Sequence, residues 1–106
     1  MTVELVVSPA ALNDIEAILV YLAREAGETV AAKYRRELLR IFALLGDQPA
    51  LGARRPELGR GVRLSIVAPY LVLYRYINET VTVLRVLHGS RRISAALLRR
   101  GTEPSP

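Results

Sequence analysis

The chain has 106 residues, 51% of them hydrophobic, with no cysteine, a single histidine (His88) and a formal net charge of +5. That is enough apolar material for one modest core and too much for a disordered chain, while the residue counts exclude disulfides, thiolate metal sites and a histidine-rich zinc site. The charge is unevenly placed: residues 1–53 carry a net −2 and residues 54–106 a net +7, and a basic half implies an acidic partner such as nucleic acid, a nucleoprotein or an acidic protein segment.

Val3 to Val7 reads as a short strand, apolar and β-branched except for Glu4. The opening MTVELVVSP has no cationic lead-in, so no secretory leader is expected and a cytoplasmic location is. Ser8-Pro9 then starts a helix, with a serine able to cap and a proline at the first helical position. Ala11, Leu12, Ile15, Ile18, Leu19, Leu22 and Ala26 fall on one stripe of a 3.6-residue period. The longest apolar run, AILVYLA, falls far short of a membrane span. Gly27 ends the helix. Glu28 or Thr29 opens a second helix with the stripe Ala31, Tyr34, Leu38, Ile41, Phe42 and Leu45. Lys33, Arg36 and Arg40 share another face. So short a link makes an antiparallel hairpin. Tyr21 and Leu39 lie off both stripes, as isolated surface residues or as part of a partner-binding patch.

GDQPALGARRPELGRG, residues 46–61, is too rich in glycine and proline for a regular element and reads as a functional or mobile loop. Three strands follow, over Val62 to Ala68, Tyr70 to Ile77 and Thr80 to His88. Pro69 marks the first turn and Asn78-Glu79 a two-residue hairpin loop. Tight turns make the strands antiparallel neighbours. An unbroken hairpin sets Ile77 opposite Thr80 and Val72 opposite Arg85. It puts Leu71, Leu73, Arg75, Ile77, Thr82, Leu84, Val86 and His88 on one face. Tyr70, Val72, Tyr74, Tyr76, Val81, Val83, Arg85 and Leu87 take the other. Neither face is clean, so one is expected under the helical hairpin and the other under something else, such as a partner. ISAALLRR has helical spacing, and residues 101–106 read as a disordered tail. The expectation is a single α+β domain over residues 1–100: an N-terminal strand, a helical hairpin packed on a twisted, mainly antiparallel sheet, and a short C-terminal helix.

Nucleophilic catalysis would need His88 as base, Ser90 or Ser94 as nucleophile and Asp14 or Asp47 as orienter, and nothing in the sequence joins them. The ten acids are scattered, and residues 46–61 lack both the P-loop pattern and its lysine. No metal or cofactor is expected. What remains is arginine and tyrosine chemistry. Arg63, Arg75, Arg85 and Arg91 lie on or beside the expected sheet among Tyr70, Tyr74 and Tyr76. Guanidinium groups clamp phosphate or carboxylate, and tyrosines stack bases. The ordinary alternative is an edge arginine whose stem covers apolar surface. The cluster of Arg85, His88 and Arg91 is the strongest candidate for a functional rim.

Three stretches, SPAALNDIEAILVYLAREAG, LGDQPALGARRPELGRGVR and YLVLYRYINETVTVLRVLHGSRR, occur in an order and spacing that resemble the ParE branch of the RelE/ParE toxins of bacterial toxin–antitoxin modules. Together they span nearly all of residues 3–92, and the histidine-glycine pair followed by arginine at the end of the last strand is typical of that family. The resemblance implies a toxin neutralised by a cognate antitoxin, ParD-like or RelB-like, in a hetero-oligomer without a membrane. That antitoxin's C-terminal segment would wrap the toxin and cover the second sheet face. Tyr21, Leu39, Tyr74 and Arg75 are the expected antitoxin contacts. ParE-like toxins poison DNA gyrase by binding, which needs a presented surface rather than a catalytic constellation. Arg63, Arg85, His88, Arg91 and Arg92 are the expected target contacts. The alternative is a RelE-like, ribosome-dependent and metal-independent messenger-RNA endonuclease with His88 and Arg91 catalytic. The tail through Leu98, however, offers no tyrosine or further histidine. A basic adaptor binding nucleic acid directly ranks last, because the Lys33, Arg36 and Arg40 face carries no aromatic.

Overall fold

The computed structural model describes residues 3–99. The elements run β1 (Glu4–Val7), α1 (Pro9–Ala26), α2 (Glu28–Asp47), β2 (Ala53–Arg54), a 3-10 turn at Pro56–Leu58, β3 (Val62–Val67), β4 (Tyr70–Ile77), β5 (Thr80–His88) and α3 (Ala95–Arg99). One five-stranded sheet has the order β1-β5-β4-β3-β2. β1 runs parallel to β5, and the other neighbours are antiparallel. The expected α+β architecture is the one found.

Local chemistry sets the helix starts. Ser8 caps α1 by accepting from the Ala11 N–H at 3.1 Å, and Pro9 occupies the first turn, where no N–H is needed. Gly27, at φ 95°, links the two helices by itself. The α2 stripe holds as read: Ala31, Leu38, Phe42 and Leu45 are buried, and Tyr34 and Ile41 pack against them. On α1 the core line is Ala11, Ile15, Ile18 and Leu22. Leu12, assigned to that stripe from the sequence, is exposed. It lies one position round the helix from Ala11, beyond the reach of the sheet.

Asn78 and Glu79 form the β4–β5 loop at φ 52° and 60°, both left-handed as a tight hairpin requires. Ile77 pairs with Thr80 and Tyr74 with Val83. The register then slips, Leu73 meets Arg85 and Val72 meets Val86, so Leu84 is a bulge and the expected Val72–Arg85 pairing does not form. The slip coincides with a change of partner on the other edge of β5. β1 stops at Val83, and α1's first turns take over. Ser8 Oγ donates to the Leu84 carbonyl at 2.9 Å, and Asp14 Oδ2 accepts from the Val86 N–H at 3.0 Å. One extra residue carries Val86 onto the helix-side face and Leu87 to the opposite one.

The sheet therefore has two cores. On the helix side, Ala11, Leu38, Phe42 and Leu45 meet Tyr70, Val72, Tyr74, Val81, Val83 and Val86. On the other, Leu73, Leu84, Leu87 and Val62 are covered by Leu58 of the 3-10 turn and Leu98 of α3, with Ile93 and Leu97 alongside. The second face, expected to need a partner, is in good part covered by the chain itself. Nor is the loop of residues 46–61 irregular throughout: it contains the end of α2, all of β2 and the 3-10 turn. Among the described residues no helix is long and apolar enough to cross a membrane.

Candidate functional site

The nine residues singled out from the sequence divide sharply by what their side chains touch. Tyr74 is fully buried in the helix-side core. Its hydroxyl donates to the Pro49 carbonyl and accepts from the Gly52 N–H, both at 2.8 Å, and burial pushes its ionisation above the ordinary tyrosine range. A Cβ on Gly52 would lie 2.6 Å from that hydroxyl and 2.8 Å from the Leu64 carbonyl, so only glycine fits there. Tyr74 pins the exit of α2 and presents nothing to a partner, so its place among the antitoxin contacts is withdrawn.

Three arginines are tied to groups of their own chain. Arg63 Nη1 donates to the carbonyls of Ala50 at 3.1 Å and Gly52 at 2.8 Å. Arg75 Nε donates to the Arg60 carbonyl at 3.0 Å. Arg85 grips Asp14 with both arms, Nε to Oδ2 at 2.7 Å and Nη2 to Oδ1 at 2.8 Å, with the two side chains only 11% and 13% exposed. The bonded carboxylate holds the Arg85 guanidinium above its ordinary range. Arg85 belongs to a clasp between α1, β5 and the Leu97 carbonyl of α3, which it reaches at 3.4 Å. It is therefore committed to its own fold, whereas Arg63 and Arg75 keep part of their guanidinium surface accessible.

Among the expected target contacts, His88, Arg91 and Arg92 are the exposed ones. His88 closes β5, and its carbonyl accepts from the Arg91 N–H at 2.9 Å, turning the chain so that both arginines project from one exposed corner. The Ser90 N–H donates to His88 Nδ1 at 3.1 Å, and Ser90 Oγ lies 2.8 Å from the same nitrogen. Nδ1 is thus the acceptor, and the neutral ring carries its proton on Nε2. The ring stands edge-on to Tyr70, with centroids 5.9 Å apart. Among the described residues no carboxylate pairs with Arg91 or Arg92. The sequence could not join His88, a serine and an aspartate. The fold brings His88 and Ser90 together and gives Asp14 to Arg85.

On the helical hairpin, Tyr21 and Leu39 are 61% and 60% exposed. A groove of about 870 Å³ runs between α2 and β3, its apolar lining from Tyr34, Ile41, Leu44, Ile66 and Val67 and its rim from Lys33, Glu37, Arg40 and Asp47. Sequence reading missed this groove because it depends on how close β3 comes to α2. It also missed Asp14 as a structural anchor, because the partner Arg85 lies 71 residues away.

Comparison with known proteins agrees with this geometry. A family described as the ParE toxin of the type II toxin–antitoxin system parDE matches residues 5–93. Toxin ParE3 of Caulobacter vibrioides is 32% identical over 85 residues, which span 80% of this chain and 85% of that protein. A solved structure described as a chromosomal ParDE toxin–antitoxin system from P. aeruginosa shares the fold at a TM-score of 0.70 and 23% identity, covering 81% of this chain and 95% of that one. The strand, helical hairpin and bulged sheet that present His88, Arg91 and Arg92 are those of a chain that belongs to the ParE toxin family of type II toxin–antitoxin systems.

Proposed function

We propose that this toxin acts in the cytoplasm by binding DNA gyrase through the exposed corner formed by His88, Arg91 and Arg92, and that a cognate antitoxin neutralises it in a hetero-oligomer. The observation that carries the reading is that corner. Two arginines without a carboxylate partner among the described residues and an imidazole Nε2–H lie exposed at the end of β5, a set of donors suited to a large acidic or nucleoprotein target. Family membership over residues 5–93 supports the choice of gyrase. For the antitoxin, the apolar groove between α2 and β3, together with Tyr21 and Leu39, supplies desolvatable surface of the kind that binds an amphipathic segment. Arg63 and Arg75 remain secondary candidates for the target and the antitoxin respectively, through the guanidinium edges they do not spend on backbone carbonyls.

The test uses the purified full chain in a gyrase supercoiling assay and, in parallel, a translation extract. The expected result is inhibited supercoiling with trapped cleaved DNA and intact messenger RNA. Arg91→Ala with Arg92→Ala should weaken inhibition about a hundredfold or more, since each lost charge-assisted contact is worth about 1.5–3 kcal/mol, and should leave thermal stability unchanged. Messenger RNA cut only when ribosomes are present would sink the gyrase reading in favour of a ribonuclease using His88 and Arg91.

A further inference from the structure

Away from that corner, at the opposite end of β3, a second set of donors gathers with no carboxylate paired to it among the described residues. β2 pairs with β3 so that Arg54 lies directly across from Arg63. Like charges so placed repel each other unless something of opposite sign lies between them. The neighbouring pairing sets Arg63 across from Tyr74, and Tyr76 is two residues further along β4 on the same face. Arg54, Arg63 and Tyr76, with Pro56, Gly61 and Val62, line a pocket of about 280 Å³.

Every polar side chain in that lining is able to donate. Arg63 is preorganised, because Nη1 is tied to the Ala50 and Gly52 carbonyls while Nε and Nη2 stay uncommitted. Arg54 and the Tyr76 hydroxyl have no hydrogen-bond partner among the described residues. Glu57, next in the chain to the pocket-lining Pro56, is held by Arg55 at 2.6 Å, which lowers its carboxyl below the usual range and occupies its charge elsewhere. Gly61 sets the pocket floor. At φ 73°, its backbone lies so close to β4 that a Cβ would come within 2.6 Å of Ile77 and 2.9 Å of the Tyr76 carbonyl.

We propose that this pocket is a phosphate-binding site, in which a phosphate group bridges the guanidinium groups of the cross-strand pair Arg54 and Arg63 and accepts from the Tyr76 hydroxyl. Such a group neutralises the cross-strand repulsion and matches the guanidinium fork. The volume suits one phosphate with part of an attached sugar. The phosphate comes either from a nucleic-acid backbone or from a free nucleotide or inorganic phosphate. The proposal does not depend on the identity of the toxin's target.

The experiment is a heteronuclear NMR titration of the ¹⁵N-labelled full chain, first with inorganic phosphate and then, separately, with a short DNA duplex. Phosphate should shift the amides of Gly61, Val62, Arg63 and Tyr76, and Arg54→Gln should weaken its binding about tenfold, the loss of one charge-assisted hydrogen bond. Arg54 is exposed and outside both cores, so this variant should melt with the wild type. Tyr76→Phe, which keeps the ring and removes the donor, should weaken binding less. Duplex binding at the same amides, with a salt slope that Arg54→Gln lowers by about one, assigns the phosphate to nucleic acid. Shifts with phosphate but not with duplex assign it to a small free ligand. Unmoved amides in both titrations, or shifts confined to residues 88–92 and identical in Arg54→Gln, overturn the proposal. Gyrase and antitoxin are absent from the assay, so its failure leaves the gyrase reading standing, and failure of that reading leaves this one testable.

Discussion

Asp14 accepts three hydrogen bonds at once, two from Arg85 and one from the Val86 backbone, in a nearly closed space between α1 and β5. Removing one member of such a pair strands the other charge, so Asp14→Ala or Arg85→Ala should each cost about 3–5 kcal/mol in denaturant unfolding. The double change Asp14→Leu with Arg85→Met should cost less than either single one, since no charge is then left without its partner. Loss of toxicity in an Arg85 variant would accordingly report a damaged fold before it reported a lost target contact. Tyr74 gives a prediction of a different kind. Tyr74→Phe leaves the Gly52 N–H and Pro49 carbonyl without their partner, a loss of about 1–3 kcal/mol at neutral pH. Burial raises the ionisation of Tyr74, and of Tyr70, in the folded chain. The unfolded chain therefore loses its tyrosine protons first, and stability falls as pH rises above about 10 toward the raised values. The wild type should lose stability more steeply than Tyr74→Phe between about pH 9 and about pH 11, a comparison readable from unfolding midpoints. None of these roles was legible in the sequence. Asp14 stood there as one of two possible catalytic orienters and Tyr74 as a surface aromatic, because their partners lie 71 and 25 residues away.

Among the elements, those defined by short-range periodicity were legible and those defined by long-range pairing were not. The α2 stripe, the Ser8-Pro9 start and the Asn78-Glu79 turn each follow from a few adjacent residues. The bulge at Leu84 does not, since it answers to Ser8 and Asp14 at the far end of the chain, and a single slipped residue reassigns every side chain beyond it. β2 escaped notice because two residues paired to a neighbour leave no pattern of their own. The α3 helix was foreseen from its spacing, but its use was not: Leu98 fills the second core that had been assigned to a partner. Leu98→Ala should cost roughly 2–4 kcal/mol. It should also open that face, raising the binding of a hydrophobic dye such as ANS, which reports exposed apolar surface. An unchanged midpoint would mean that α3 does not seal this side of the sheet.

Taken as a whole molecule, the toxin keeps its three candidate surfaces apart. The basic corner at the end of β5, the apolar groove between α2 and β3 and the arginine pocket at the start of β3 share the sheet but few residues. The uneven charge visible in the sequence pointed to the C-terminal half, and the proposed basic corner and arginine pocket both lie there. The geometry of β1 has a consequence for synthesis. β1 pairs only with β5, and the cap of α1 is bonded to a residue 76 positions later. The long-range pairing that closes the fold is unavailable until the last strand exists. A fragment ending at Asn78 should accordingly lack a cooperative unfolding transition by circular dichroism, while the full chain shows one. On the ribosome, the same arrangement means that a chain interrupted before β5 has no partner strand for β1 and stays unclosed.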